Sequence, residues 1–144
     1  YVAPAKKKKT KVTIPDTVFV NGVKYKVTAI EKNAFKNNKN IKNVTIGKNV
    51  TTIGENAFYK CTALTKITIP SKVTTIGKKA FYGCSKLKTL TIKSSKLTEK
   101  KIGSKAFSKT PKSMKVTVPK KKYKTYKSVL IKKGVNKKAK FVKG

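Results

Sequence analysis

Hydrophobic positions recur along this chain with a period of 23 residues. Residues 50–72 read VTTIGENAFYKCTALTKITIPSK, and residues 73–96 repeat nearly the same pattern as VTTIGKKAFYGCSKLKTLTIKSSK. The same frame extends backwards to residues 27–46, and it extends forwards to residues 97–119 after three additional residues. A period of this length is typical of a solenoid, in which one supersecondary unit stacks on the next. We therefore predict a single repeat domain with a continuous, narrow core.

Each repeat contains two short stretches of strand-like residues joined by a compact turn. Residues 64–70, LTKITIP, alternate in the manner of a first strand, and residues 73–77, VTTIG, predict a second short strand. Residues 77–84 carry a buried Ala–Phe pair, which we interpret as a single helical or 3₁₀ turn. The phenylalanines at this position are expected to stack as an aromatic spine of Phe35, Phe58, Phe81 and Phe107.

The N-terminal end of the chain departs from the repeat. Residues 1–9 combine proline, alanine and a lysine run, which predicts a linker or disordered end. Residues 10–26 contain a short strand and then two β-rich runs separated by Asn21-Gly22. Because Asn-Gly favours the positive φ angles of a type I′ turn, we predict a hairpin that caps the open end of the core. The repeats themselves then occupy residues 27–119.

The C-terminal end departs from the repeat in a different way. Within residues 120–144, one apolar helical face is formed by Tyr123, Tyr126 and Leu130. Gly134 is placed to end this helix, with Val135 positioned for a Schellman-type contact. The residues that follow are expected to return as a short strand. We predict that this segment caps the C-terminal end of the core.

Outward positions of the first strand repeat as regularly as inward ones. A threonine recurs at one point of this strand, which suits parallel strands stacked about 4.8 Å apart. We predict a candidate binding face made of these threonines and the residues two positions before them: Asn43, Thr45, Lys66, Thr68, Thr89, Thr91, Lys115 and Thr117. The alternative is that the threonines only stabilise a flat surface.

Charge is the second dominant feature of the chain. There are 38 basic and 4 acidic residues, and every basic residue is lysine, so the net charge is +34. Such a charge attracts polyanions and acidic surfaces, although lysine also simply fills the exposed positions of a repeat. The lack of arginine argues against base readout in nucleic acids, which relies on bidentate arginine. No apolar run approaches the roughly 18 residues that span a bilayer, so we expect no membrane insertion.

Few residues here are suited to catalysis or to metal binding. The chain has no histidine, one aspartate and three glutamates, and it has no phosphate-binding loop or metal-ligand cluster. We expect neither enzymatic activity nor a cofactor. Glu55 is interpreted as a surface bridge between Lys32 and Lys78 on neighbouring coils. The chain also lacks an initiating methionine and a signal peptide, so we interpret it as a mature region or a fragment.

Cys61 and Cys84 occupy the same position in successive coils. Their α-carbons are expected about 5 Å apart, which falls inside the disulfide range, although parallel side-chain directions oppose a bond. We interpret both as buried thiols that fill a small-residue position, with a disulfide as the alternative.

The repeat motif itself resembles a known family. The pattern I-G-x-x-A-F-x-x-C-x-x-L-x-x-I-x-I-P, matched throughout by residues 53–70, is similar to BspA-like leucine-rich repeats of bacterial surface proteins. The likeness covers about residues 25–119. Departures fall in the outer coils, at Glu31, Asn38, Thr110 and Ser113, and suggest that the array is bounded at both ends.

The resemblance implies a mainly β fold. We expect a leucine-rich-repeat solenoid of about four 23-residue coils with an N-terminal β-hairpin cap and a C-terminal helical cap. It also implies a secreted or cell-surface bacterial protein that is used in adhesion or as one module among others.

Three functions are consistent with these features. The first is a binding module whose candidate face contacts a host or bacterial surface protein or glycan. The second is charge-driven attachment to anionic polymers such as teichoic acid, sulfated glycan or DNA, which is expected to weaken steeply with salt. The third is self-association into a spacer or filament.

Overall fold

The computed structural model describes residues 9–144 and shows short strands that recur once or twice in each repeat. In chain order the strands and the α-helix are β1 (Lys11–Ile14), β2 (Thr17–Val20), β3 (Val23–Lys26), β4 (Ala29–Ile30), β5 (Asn43–Ile46), β6 (Thr52–Ile53), β7 (Lys66–Ile69), β8 (Thr75–Ile76), β9 (Thr89–Ile92), β10 (Lys115–Val118), α1 (Tyr123–Lys132) and β11 (Lys140–Lys143). Two 3₁₀ turns cover Glu99–Lys101 and Lys120–Lys122.

The main sheet joins the first strand of each repeat to the same strand of the next. It contains six strands in the order β1-β5-β7-β9-β10-β11, and every pairing is parallel. A second sheet joins β4, β6 and β8, also in parallel, and Ile102 extends it by a bridge to Ile76. The mainly β solenoid is therefore confirmed. The second strands are shorter than predicted, because β8 covers two residues and not residues 73–77.

The segment between the two sheets is not a helical or 3₁₀ turn, so that prediction was wrong. Residues 55–60 form consecutive tight turns, and their alternate N–H groups donate along the solenoid rather than within the segment. The N–H of Phe58 donates to the carbonyl of Ala80 at 2.8 Å, and that of Lys60 donates to Tyr82 at 2.7 Å. Lys60 has a φ of 53°, which interrupts any helical path. Inter-coil bonding has replaced the i→i−4 bonds that a helix needs.

The aromatic spine is confirmed. Successive rings are nearly parallel, with centroid separations of 5.1 Å for Phe35–Phe58, 5.2 Å for Phe58–Phe81 and 5.4 Å for Phe81–Phe107. The last three rings are fully buried. Stacked rings of this kind add about 1 kcal/mol per pair to the free energy that their burial already supplies. The spine, together with the inward isoleucines of the main sheet, forms one continuous core.

The departures from the repeat motif have structural reasons. Gly54 lies so near the preceding coil that an added Cβ would be 2.6 Å from the backbone nitrogen of Lys32. Glu31 occupies the same position immediately after β4, which is the first strand of the second sheet and has no preceding strand to approach. At the C-terminal end Ser113 is exposed, and Met114 fills the core position of the missing leucine.

The predicted N-terminal hairpin is present. β2 and β3 pair antiparallel around Asn21 and Gly22, whose φ values of 49° and 76° are those of a type I′ turn. Val18 packs against the core. Phe19 is 70% exposed and Tyr25 is 52% exposed, so much of the hairpin's apolar surface faces outward. Its role as a cap stays a prediction, as does the count of about four full coils.

The C-terminal helix and strand are also present. Tyr126, Val129 and Leu130 are buried on one face of α1, and the Tyr126 hydroxyl accepts a hydrogen bond from the N–H of Leu97 at 3.0 Å. The predicted Schellman contact is confirmed, because the N–H of Val135 donates to the carbonyl of Leu130 at 2.9 Å. The strand β11 then pairs with β10 and extends the main sheet. Within residues 9–144, no helix has the length and apolar character needed to cross a bilayer.

We predict that Gly54→Ala destabilises the protein strongly. The new methyl group would overlap the backbone of the preceding coil, which cannot move without breaking inter-coil hydrogen bonds. We expect a loss of about 3 kcal/mol in the free energy of unfolding, measured by urea denaturation. Glu31→Ala is the matched control and should change stability by less than about 0.5 kcal/mol, since this position is exposed. Equal effects at both positions would contradict the close-approach explanation.

We predict that Lys105→Asn stabilises the protein. Lys105 is exposed and has a φ of 55°, in the left-handed region that asparagine tolerates better than lysine. The chain itself uses asparagine at the equivalent position of two earlier coils, Asn33 and Asn56. The expected gain is about 0.5 kcal/mol in unfolding free energy. Lys86→Asn makes the same chemical change in a turn without positive φ, so a similar gain there would show that charge removal is the cause.

Candidate functional site

The outward face of the main sheet brings all eight predicted site residues together. Because side chains alternate across a strand, two outward residues per strand form two parallel rows that run along the solenoid. The first row is Lys11, Asn43, Lys66, Thr89, Lys115 and Lys140. The second row is Thr13, Thr45, Thr68, Thr91, Thr117 and Val142. All these side chains are exposed or half-buried, whereas the residues between them, such as Ile67 and Leu90, are fully buried.

A groove interrupts this face between β5 and β7. These two strands pair at two residue positions, whereas β5 pairs with β1 at four. The groove has a volume of about 550 Å³ and is lined by Asn43, Thr45, Lys66, Thr68, Lys48 and Lys93, among others. Its lining combines hydroxyl, amide and ammonium groups with the apolar groups of Val44, Ile46 and Pro70.

Carboxylates neutralise lysines elsewhere, not on the two rows. In the described part of the chain there are three ion pairs, Lys32–Glu55 at 3.4 Å, Lys48–Asp16 at 3.4 Å and Lys132–Glu99 at 3.1 Å. The expected bridge from Glu55 to a second lysine, Lys78, is not formed. The pKa of Asp16 is lowered, chiefly because its carboxylate accepts the backbone N–H of Lys48 at 2.7 Å.

Sequence reasoning placed Thr13 with the recurring threonines but left β1 and β11 out of the candidate face, which they extend at both ends. It assigned Lys11 and Lys140 to the two caps, although both lie in register with the first row. At the N-terminal end the sequence did indicate that β1 belongs to the face, because Thr13 matches the recurring threonine. At the C-terminal end no threonine marks the strand, since Val142 occupies that position.

The repeat matches a family model for the BspA type leucine-rich repeat region, with six copies across residues 10–133. The chain belongs to this family. The match covers the residues that form the main sheet up to β10 and all of α1, so it spans nearly the whole described structure. The resemblance read from residues 53–70 is thereby confirmed.

This chain is similar to solved structures of bacterial leucine-rich repeat proteins. A leucine-rich cell surface protein from Faecalibacterium prausnitzii A2-165 is 37% identical, with a TM-score of 0.65 over 78% of this chain and 30% of its own. A leucine-rich repeat protein from Bacteroides ovatus is 29% identical, with a TM-score of 0.63 over 83% of this chain and 29% of its own. A leucine-rich repeat protein from Bacteroides capillosus is 34% identical, with a TM-score of 0.58 over 62% of this chain and 67% of its own.

These comparisons support a repeat of the bacterial cell-surface type. This chain spans about a third of the length of the first two relatives. No curated protein sequence matches it.

A second surface of the BspA-type coils carries a tyrosine pair that sequence reasoning overlooked. Tyr59 and Tyr82 follow the buried phenylalanines in the same frame, and their rings stack with centroids 5.2 Å apart. Lys60 lies 5.5 Å from the ring of Tyr59, and Lys109 lies 5.5 Å from the ring of Tyr82. Contacts of this kind contribute about 0.5–1 kcal/mol each at exposed sites. These lysine–tyrosine contacts stabilise the turn region and give Lys60 and Lys109 an aromatic partner in place of a carboxylate.

The two cysteines are buried free thiols, as interpreted from the repeat. The thiol of Cys61 donates to the carbonyl of Phe35 at 3.0 Å, and that of Cys84 donates to the carbonyl of Phe58 at 3.2 Å. Burial raises the pKa of Cys61 to about 12 and raises the pKa of Cys84 as well. A thiolate is the reactive form, so neither cysteine is suited to nucleophilic chemistry. Among residues 9–144 no cluster of side chains has the composition of a metal site.

We predict that both thiols resist alkylation by iodoacetamide in the folded protein at mildly alkaline pH. Each sulfur is buried and each pKa is raised, so the thiolate is neither populated nor accessible. In concentrated guanidinium both should react fully, which mass spectrometry measures. The stability contributed by the raised pKa values is present below the ordinary thiol pKa and is lost as pH rises toward 12. Rapid labelling of the folded protein would contradict the structure.

Proposed function

We propose that this chain is a non-catalytic extracellular binding module that contacts a surface protein or glycan through the outward face of the main sheet. The observation that carries the proposal is the six-stranded parallel sheet whose two outward rows are exposed or half-buried and held in register. Membership in a family with cell-surface relatives supports an extracellular location. Leucine-rich-repeat proteins are generally non-catalytic, which agrees with the scarcity of acid–base groups.

The rigidity of this face favours binding. The four inner strands, β5, β7, β9 and β10, are each paired on both sides with neighbouring strands, and their inward residues are locked in the core. Thr68 and Thr91, for example, are paired in register at the centre of the sheet. A ligand that contacts such pre-ordered side chains loses little additional conformational entropy on binding.

Charge-driven attachment to anionic polymers is the second candidate function. It is favoured by the net charge of +34 and by the fact that, among residues 9–144, only three lysines form ion pairs. Self-association through a sheet edge is less favoured. Lys140 and Lys143 lie on the edge strand β11, and lysines on an edge oppose pairing with a second copy.

We predict that Thr68→Gln combined with Thr91→Gln weakens binding of any partner that uses this face. The longer side chains would obstruct the centre of both rows without changing the net charge. Binding to a panel of surface proteins and glycans, measured by biolayer interferometry at high salt, should fall by about tenfold, equivalent to about 1.4 kcal/mol. The matched control combines Thr98→Gln and Thr125→Gln, which are exposed positions outside the sheet. Unchanged binding of every partner in the first variant would show that another surface is used.

A further inference from the structure

We infer that the ligand of this face is a linear anionic polysaccharide that lies along the solenoid axis. The inference rests on the proposed function, since it names the ligand class for the same sheet face. It is carried by two parallel sets of side chains, one cationic and one hydroxyl-bearing, together with the absence of neutralising carboxylates beside them.

Every strand of the main sheet has a lysine either at its first residue or immediately before it. Four lysines occupy the first outward row directly, and the two strands that lack one there, β5 and β9, carry an exposed lysine immediately before Asn43 and Thr89. The resulting lysine row consists of Lys11, Lys42, Lys66, Lys88, Lys115 and Lys140. With strands about 4.8 Å apart, the row advances by one positive charge per strand.

No carboxylate of the described residues pairs with this row. The three ion pairs use Lys32, Lys48 and Lys132, and none of these belongs to it. Neighbouring charges of the row are closer than the Debye length of about 8 Å in physiological salt, so their potentials add into a continuous positive track. Such a track repels itself in the free protein. A linear polyanion relieves that repulsion and releases its own counterions on binding.

The threonine row distinguishes a polysaccharide from other polyanions. Thr13, Thr45, Thr68, Thr91 and Thr117 run parallel to the lysine row, two or three residues farther along the chain and hence about 6.6–10 Å away. Threonine hydroxyls both donate and accept hydrogen bonds, as sugar hydroxyls do. A chain with anionic groups along one edge and hydroxyls along the other therefore matches both rows.

Nucleic acid and acidic peptide match this face less well. Neither row contains an aromatic side chain on which a base can stack, and the chain has no arginine for base recognition. An acidic peptide has no regular series of hydroxyls to meet the threonines. The groove between β5 and β7 adds a recess beside Lys66, lined by both polar and apolar groups, that can receive a substituent projecting from a sugar chain.

The test measures binding of size-defined heparin oligosaccharides to the whole chain, with single-stranded DNA, polyglutamate and neutral dextran as comparisons. The row variant combines Lys42→Gln, Lys88→Gln and Lys115→Gln. The control variant combines Lys78→Gln, Lys101→Gln and Lys124→Gln, which are exposed and lie off the sheet face. Both variants lower the net charge from +34 by three, to +31.

The row variant is expected to lose about tenfold or more in heparin affinity at physiological salt. The slope of log affinity against log salt concentration should become shallower by about two to three, because each lost lysine contact removes about 0.7–0.9 released ions. The control variant should stay within about twofold of the parent. Equal losses in the two variants would overturn the inference, because they would show that the polymer responds to net charge alone.

A second variant separates a polysaccharide from the other polyanions. Thr68→Val combined with Thr91→Val removes two hydroxyls while keeping the shape and strand preference of the side chains. Heparin binding should fall by about fivefold, as expected for the loss of hydrogen bonds worth about 1 kcal/mol in total, while DNA and polyglutamate binding should not change. Equal binding of heparin by this variant, or stronger parent binding of DNA, would overturn the inference.

Failure of the inference and failure of the proposed function give different results. If heparin does not bind but a surface protein binds and is lost in the Thr68→Gln/Thr91→Gln variant, the polysaccharide assignment is overturned and the binding face stands. If every partner binds the Thr68→Gln/Thr91→Gln variant normally, both are overturned.

Discussion

Hydrogen bonds between the backbones of successive coils are the constraint on which the rest of this structure depends. They operate in both sheets and also in the turns, where the N–H of Phe58 reaches the carbonyl of Ala80 at 2.8 Å. A buried backbone group that lacks a partner is costly, so each coil must present its donors and acceptors in the same geometry as the coil beside it. The 23-residue period, the close approach at Gly54 and the left-handed residues of the turns all follow from that requirement.

The same stacking explains how a chain of such high charge folds. Every coil buries its apolar residues against two neighbours, which produces one core from β1 to β11 with the phenylalanine spine along its length. The lysines lie outside this core and are only sparsely neutralised, by three exposed ion pairs among the described residues. Exposed pairs contribute little to stability, so burial and backbone bonding must offset the repulsion.

Stacking also turns sequence periodicity into a surface pattern. Residues that are 23 positions apart along the chain become neighbours about 4.8 Å apart on the sheet, as Lys66 and Thr89 do. A residue type that recurs at one repeat position therefore forms a row of like side chains on the sheet. This is how lysine and threonine, which are unremarkable singly, form two parallel sets on a rigid face.

The sequence by itself determined the elements whose cause is local. The Asn21-Gly22 hairpin, the Gly134 helix end and the inward residues of each strand follow from turn chemistry and periodicity, and the structure has all of them. The eight residues of the candidate face were likewise predictable, because strand alternation places them on one side. Whether they bind a ligand is a separate matter that periodicity does not address.

Only the tertiary structure decided features that depend on contacts between coils. The turn around Ala57–Phe58 lost its expected helical form because alternate N–H groups, such as that of Phe58, bond to the next coil. The lysine row became visible only when β1 and β11 joined the main sheet and brought Lys11 and Lys140 into register with it. Local sequence fixes which side of a strand a residue occupies, but pairing between distant segments fixes what lies beside it.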